Sequence, residues 1–181
     1  VAAELTPEAI IGDFDSVRSI EAWLGRARLI RLEEQDTTDF EKALYSTRAP
    51  LTVAIGMTGH RFDHTLAALD AIAKQARDRK IILIDEHDLA LATSGRFEFD
   101  VDEGERVSVH PLWPIDFHRS YGLKYPLDGL RLAPGERTGT SNAAVDGHFV
   151  IEPEVWSVAP WLLVLDRKYL FTLCAKLLGT K

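Results

Sequence analysis

Short apolar runs alternate with amphipathic stretches through the first half of the chain, and with turn residues alone through the second. AIIG at 9–12, ARLIRL at 27–32, LTVAIG at 51–56 and KIILID at 80–85 read as strands. SVRSIEAWLG at 16–25 reads as a helix that Gly25 ends, a second helix starts at Thr38, and a third runs over 61–76. Strand alternating with helix predicts a mostly parallel sheet with crossover helices. Such sheets bind ligands beyond the carboxyl ends of their strands. From about residue 87 the helical period disappears. DLALATS, RFEFDVD, RVSVHPLW, LRLAP, GHFVIEP and WLLVLD are short strand-like runs separated by Gly, Pro and charged turns, the pattern of an antiparallel sandwich or barrel. The expected organisation is an α/β amino-terminal domain over 1–86 followed by an all-β sandwich over 87–181, with the boundary near Asp85 to Asp88.

Composition narrows the function classes. The chain has 181 residues, 46% hydrophobic and 27% charged, enough to bury a core. Its 21 Lys and Arg against 28 Asp and Glu give a formal charge of −7, which argues against a nucleic-acid surface. The lone cysteine, Cys174, precludes an internal disulfide and suits a reducing compartment. VAAELTPEAI lacks the basic start and apolar stretch of a secretory signal, and WLLVLDRKYLFTLCAKLL is too charged to span a membrane. A cytoplasmic protein is expected. Trp23, Trp113, Trp156 and Trp161 read as core or interface residues, with Tyr125 an exception that suits a substrate stack.

Three polar clusters follow predicted strands. In Gly12-Asp13-Phe14-Asp15-Ser16 the two aspartates are two apart, so in extended backbone both carboxylates face one side. They suit a magnesium ion, which keeps waters and bridges to substrate phosphates; taken alone, the pair better suits a turn in which Asp15 or Ser16 caps a helix and Asp13 is solvated. In EEQDTTDFEKAL, Thr38 and Glu41 form a capping box, and Asp39 and Lys42 share one helix edge. That cluster is either a capped helix with a surface ion pair or a site in which Gln35, Asp36 and Asp39 serve a metal or nucleotide while Lys42 reaches a phosphate. In GMTGHRFDHTLAAL, Gly56 and Gly59 bracket a loop at a helix start, where backbone N–H groups favour an anion. Arg61 suits a phosphate clamp, and Asp63 suits holding Arg61 or a second metal. His60 and His64 lack a third ligand for zinc and read as structural. The three clusters place five aspartates, a lysine and an arginine at strand ends, as around one crevice.

GDFDS, QDTTDFEKAL and GMTGHRFDHTLAAL in this order and spacing, with GLKYPLDGLRLAPGERTGTSNAAVDG at 122–147, resemble the thiamine pyrophosphokinase (thiamine diphosphokinase) family over nearly the whole chain. The resemblance implies an α/β domain and a β-sandwich acting as a homodimer. It implies transfer of the pyrophosphoryl group of ATP to the thiamine hydroxyl, giving thiamine diphosphate and AMP. By similarity Asp13, Asp15 and Asp39 hold Mg2+ and the triphosphate, beside Gln35, Thr38 and Lys42. Arg61 and Asp63 complete the ATP site, and Ser141 and Asn142 contact thiamine across the dimer interface. Either Asp13 or Asp39 is a candidate to accept the hydroxyl proton. The family usually carries a further strand and a DGG-type loop ahead of the segment matching LTPEAIIGDFDS, and VAAELTPEAII contains neither; the FTLCAKLLGTK tail matches nothing in the family. Two other readings stand beside this one. DFDS after a strand also resembles the D-x-D of haloacid-dehalogenase-like phosphohydrolases, where the first Asp is a nucleophile. A non-catalytic thiamine-binding module is the other.

Overall fold

The computed structural model describes residues 5–180 apart from Ser16, Arg18 and His60. Its chain divides into two compact units, Val1–Ala49 and Pro50–Lys181.

In the first unit β1 (Ala9–Gly12) pairs in parallel with β2 (Arg28–Arg31), Ala9 opposite Arg28 and Gly12 opposite Arg31. The helix expected over 16–25 is instead a single 3-10 turn at Ile20–Trp23. Ser19 stands before it in the left-handed region at φ 54 without a side-chain cap, and Leu24 leaves it at ψ 126, outside the helical region, so an α-helix has no start and no room to propagate. Ser16, the other expected cap, lies outside the described residues, as does His60. Helix α1 (Asp39–Ser46) begins where the capping box predicts: Thr38 Oγ1 accepts from the Glu41 amide at 3.3 Å, and the Glu41 carboxylate accepts from the Thr38 amide at 3.4 Å. Among the described residues of this unit, Leu44 is the buried apolar side chain and Lys42 the buried charged one.

The second unit opens with β3 (Thr52–Ile55), α2 (Phe62–Gln75) and β4 (Ile81–Ile84). It continues with β5 (Asp88–Thr93), β6 (Phe97–Asp100), β7 (Arg106–Pro111), β8 (Ile115–Tyr121), β9 (Arg131–Leu132), β10 (Gly139–Ala143), β11 (His148–Pro153) and β12 (Trp161–Asp166). Helix α3 (Leu170–Leu178) closes it. One sheet has the order β10-β7-β12-β5-β4-β3 and the other β6-β11-β8-β9. The single mostly parallel sheet read from periodicity is therefore two parallel pairs, β1–β2 and β3–β4, in different sheets. Strand β4 continues antiparallel into β5, with Ile84 opposite Leu89, so the six-stranded sheet runs through the 86/87 position. Asp85 closes that turn: its Oδ1 accepts from the amides of His87 and Asp88, both at 2.8 Å. A turn this short can join only antiparallel neighbours.

The two sheets share one core. Phe97, Phe99, Phe117, Phe149 and Ile151 pack with Leu89, Leu91, Val107, Val109, Trp161 and Leu163, and the rings of Phe117 and Trp161 meet edge to face at 6.0 Å. Three elements of this unit had no counterpart in the sequence reading. Strand β8 reads IDFHRSY, with too few apolar residues to stand out, and β10 reads GTSNA, with only one. Helix α3 carries Leu170, Leu173, Cys174 and Leu177 at helical spacing, packed against the core. Among the described residues no helix is long and apolar enough to cross a membrane.

Candidate active site

Four polar side chains meet where β1 and β2 end in the first unit. The chain leaves β1 at Gly12, whose φ of 151 lies outside the range of most side chains. A Cβ there would stand 2.8 Å from Asp39 Oδ1, so the glycine lets the Asp39 carboxylate lie against the backbone. Asp13 follows: its Oδ1 accepts from the Asp15 amide at 3.0 Å and its Oδ2 from Gln35 Nε2 at 3.4 Å. Those bonds, the Asp15 amide first, hold the Asp13 carboxyl below its ordinary range, and the charge of Lys42 acts in the same direction. Lys42 is 1% exposed, and its Nζ stands 3.6 Å from Asp39 Oδ1. A buried ammonium needs such a partner, and here two carboxylates feel its charge.

The expected side-by-side arrangement of Asp13 and Asp15 assumed extended backbone. Phe14 lies at φ 71 instead, so the segment is a turn that Asp13 closes through the Asp15 amide. Among the described residues no three His, Cys, Asp or Glu side chains form a ready-made metal cage. Magnesium does not require one, since it is commonly held by one or two carboxylates plus waters and substrate phosphates. The hard oxygens of Asp13 and Asp39, on either side of Gly12, fit that donor set.

In the second unit, Arg61 occupies the N-cap position of α2. Its Nε reaches Asp63 Oδ1 at 3.1 Å and its Nη2 reaches Asp63 Oδ2 at 2.6 Å, a two-pronged pair with both side chains exposed. Arg61 in turn holds the Asp63 carboxyl below its ordinary range. Beyond the carboxyl ends of β3 and β4 lies a cleft of about 580 Å³ lined by Gly56, Thr58, Gly59, Asp85, His87 and Arg167, among others. The amides of Asp88 and then His87 keep the Asp85 carboxyl low. Asp85, His87 and Arg167 were not read from the sequence as site residues. Arg167, whose amide donates to the His87 carbonyl at 3.0 Å, comes from the far end of the chain, and no local pattern ties it to β4.

Ser141 sits at φ 60 on the irregular strand β10, where its amide donates to Ser108 Oγ at 3.0 Å. Asn142 is buried: its Oδ1 accepts from the amides of Tyr125 and Ala143, both at 2.9 Å, and its Nδ2 donates to the Tyr125 carbonyl at 2.6 Å. It therefore holds the loop that displays the exposed Tyr125 ring. Gly122, just before this loop, admits no side chain: a Cβ would stand 1.8 Å from the His148 carbonyl oxygen.

Residues 1–83 match the sequence model of the thiamin pyrophosphokinase catalytic domain. The chain is 30% identical over 151 residues to thiamin pyrophosphokinase 1 of Caenorhabditis elegans, covering 75% of this chain and 62% of that protein. It is 26% identical over 174 residues to thiamine pyrophosphokinase 1 of Arabidopsis thaliana, covering 84% and 65%. The chain thus spans less than two thirds of either relative. The fold is similar to that of thiamine pyrophosphokinase from Bacillus subtilis, with a TM-score of 0.74 at 22% identity over 88% of this chain and 78% of that one. The Candida albicans structure gives 0.74 at 17% identity over 90% and 73%.

Proposed function

We propose that this chain belongs to the thiamine pyrophosphokinase family and that it transfers the pyrophosphoryl group of ATP to the hydroxyl of thiamine. The observation that carries the proposal is the meeting of Asp13, Gln35, Asp39 and buried Lys42 at the ends of β1 and β2, within the residues that match the catalytic domain.

The thiamine hydroxyl oxygen attacks the β-phosphorus, a new O–P bond forms, and the bond from that phosphorus to the α,β-bridging oxygen breaks, releasing AMP. The hydroxyl proton passes to a carboxylate, Asp13 or Asp39, as the ester forms. Such transfer is accelerated by positioning and by positive charge facing the phosphoryl oxygens. Lys42, held in place by burial, supplies one such charge, and Arg61, aimed by Asp63, supplies another. Gln35 and Thr38 fix the loop and helix start that carry Asp39. When bound through Asp13 and Asp39, with Asp15 beside them, Mg2+ neutralises the triphosphate and orients it. In the second unit Ser141 offers an exposed hydroxyl to thiamine, and Asn142 acts through the Tyr125 loop and its remaining amide N–H. The proposal includes an α/β domain before a β-sandwich and a homodimer with thiamine at its interface, which sedimentation velocity tests.

The deciding experiment supplies thiamine and Mg·ATP and identifies the nucleotide product. AMP appearing in step with thiamine diphosphate is the expected result. ADP as the sole nucleotide product, or phosphate release from a monoester without an acceptor, overturns the proposal.

A further inference from the structure

The Glu34 carboxylate makes more hydrogen bonds than any other side chain around the candidate site. Its Oε2 accepts from the amides of Asp36 at 2.8 Å and Thr37 at 3.0 Å. Its Oε1 accepts from the Tyr45 hydroxyl at 2.9 Å and from the Thr37 hydroxyl. Both oxygens are thus engaged, and no other group in the turn replaces them. Residues 34–37 form a turn closed by a side chain, comparable to an Asx turn with a longer arm.

Three features make this more than a surface turn. Gln35 sits inside the closed turn and is the side chain that reaches Asp13. Tyr45 lies at the far end of α1, so its bond ties the loop to the helix that bears Asp39 and Lys42. Thr38, the N-cap of that helix, immediately follows the last residue Glu34 holds. Without the Glu34 bonds, α1 keeps its own capping box but loses its tie to the loop. The carboxyl is held well below its ordinary range, first by the Thr37 hydroxyl and then by Tyr45 and the two amides, so it is charged and accepting throughout the neutral range.

We infer that Glu34 is a positioning residue of the nucleotide site, locking the 34–37 turn to α1 so that Gln35, Asp39 and Lys42 keep one arrangement toward Mg·ATP. The inference rests on the pyrophosphoryl-transfer reading. In it Glu34 acts through the 34–37 turn and α1, by the bonds to Asp36, Thr37 and Tyr45. Groups of this kind, one shell removed from the ligands, commonly change affinity or activity by roughly ten- to a hundredfold.

The test uses the whole chain with Glu34→Ala and Glu34→Gln. For Glu34→Ala the KM for Mg·ATP rises about tenfold, while the KM for thiamine stays at its wild-type value and the unfolding midpoint falls only by the loss of the turn's own bonds. By NMR, the Asp36 and Thr37 amides exchange faster in the same variant. Glu34→Gln, which keeps an oxygen for those amides, falls between the two. Unchanged KM for Mg·ATP overturns the inference. So does an equal rise in the KM for thiamine, which marks a general structural role. If the wild type makes no AMP, the transfer reading fails by itself. Calorimetry with Mg·ATP then decides for Glu34: weaker binding with faster amide exchange upholds it, and equal binding, or none by the wild type, overturns it.

Discussion

The two units of this chain are built on opposite principles. Among the described residues of Val1–Ala49 the buried apolar side chain is Leu44, and the organisation comes from polar bonds: the Asp13 turn, the Glu34 turn and the Thr38 capping box. In Pro50–Lys181 two sheets close on a continuous apolar core, and polar groups such as Asn142 are buried where their bonds are met. The first arrangement keeps carboxylates and an ammonium close together, which a dry core forbids. The second supplies hydrophobic stabilisation, which a loop of turns cannot. Polar clustering and apolar packing thus dominate different stretches of sequence, and substitutions in each should affect turnover and stability differently.

The sharpest test of that division lies in the core. Phe117→Ala removes a ring that is 1% exposed and packed on Trp161; it should cost about 3–5 kcal/mol, read from the denaturant midpoint. An unmoved midpoint would break the claim that the two sheets share a core. Next comes Asp13→Asn. An amide oxygen can still accept from the Asp15 amide, so the fold should persist, while AMP formation falls by roughly a hundred- to a thousandfold if charge at this position serves the transfer. Near-normal turnover would remove Asp13 from the site. A smaller effect is expected from Thr38→Ala, which deletes the α1 cap and should lower stability by about 1 kcal/mol. Thr38→Ser should restore it, and a cap that contributes nothing would make the first unit less dependent on polar bonds than described.

The mildest test is a pH titration of Glu34. Its carboxyl is lowered from 4.5 to about 2, chiefly by the Thr37 hydroxyl. Because the folded value lies below the unfolded one, the contribution of these bonds is fully present above about pH 4.5 and is lost as pH falls through about 2. The Glu34 carboxyl carbon followed by NMR should show its midpoint there; a midpoint near 4.5 would mean that the turn is not closed in solution.

Much of the molecule was legible from local pattern. AIIG, LTVAIG and KIILID became β1, β3 and β4, and the helix read over 61–76 became α2 with Arg61 and Ala76 as its caps. The capping box at Thr38 placed α1 to the residue. Each of these signals lies within a few positions of the element it specifies. The helix read over 16–25 failed because periodicity does not reveal a left-handed residue such as Ser19. Strand β10 was missed because GTSNA is recognised as a strand only through its partner β7, about 30 residues earlier.

The sequence by itself determined α1, α2 and the strands with strong apolar runs, the polar residues that follow β1, β2 and β3, and the family these motifs resemble. Only the tertiary structure decided that Phe14 turns the GDFDS segment instead of extending it, that Gly12 makes room for the Asp39 carboxylate, and that Lys42 is buried. It also decided that Asn142 holds the Tyr125 loop and that Arg167 reaches the cleft beside His87. The physical reason is range. Propensity, capping and amphipathic spacing act between residues a few positions apart, whereas burial and the approach of one side chain to a distant backbone depend on how the whole chain closes on itself.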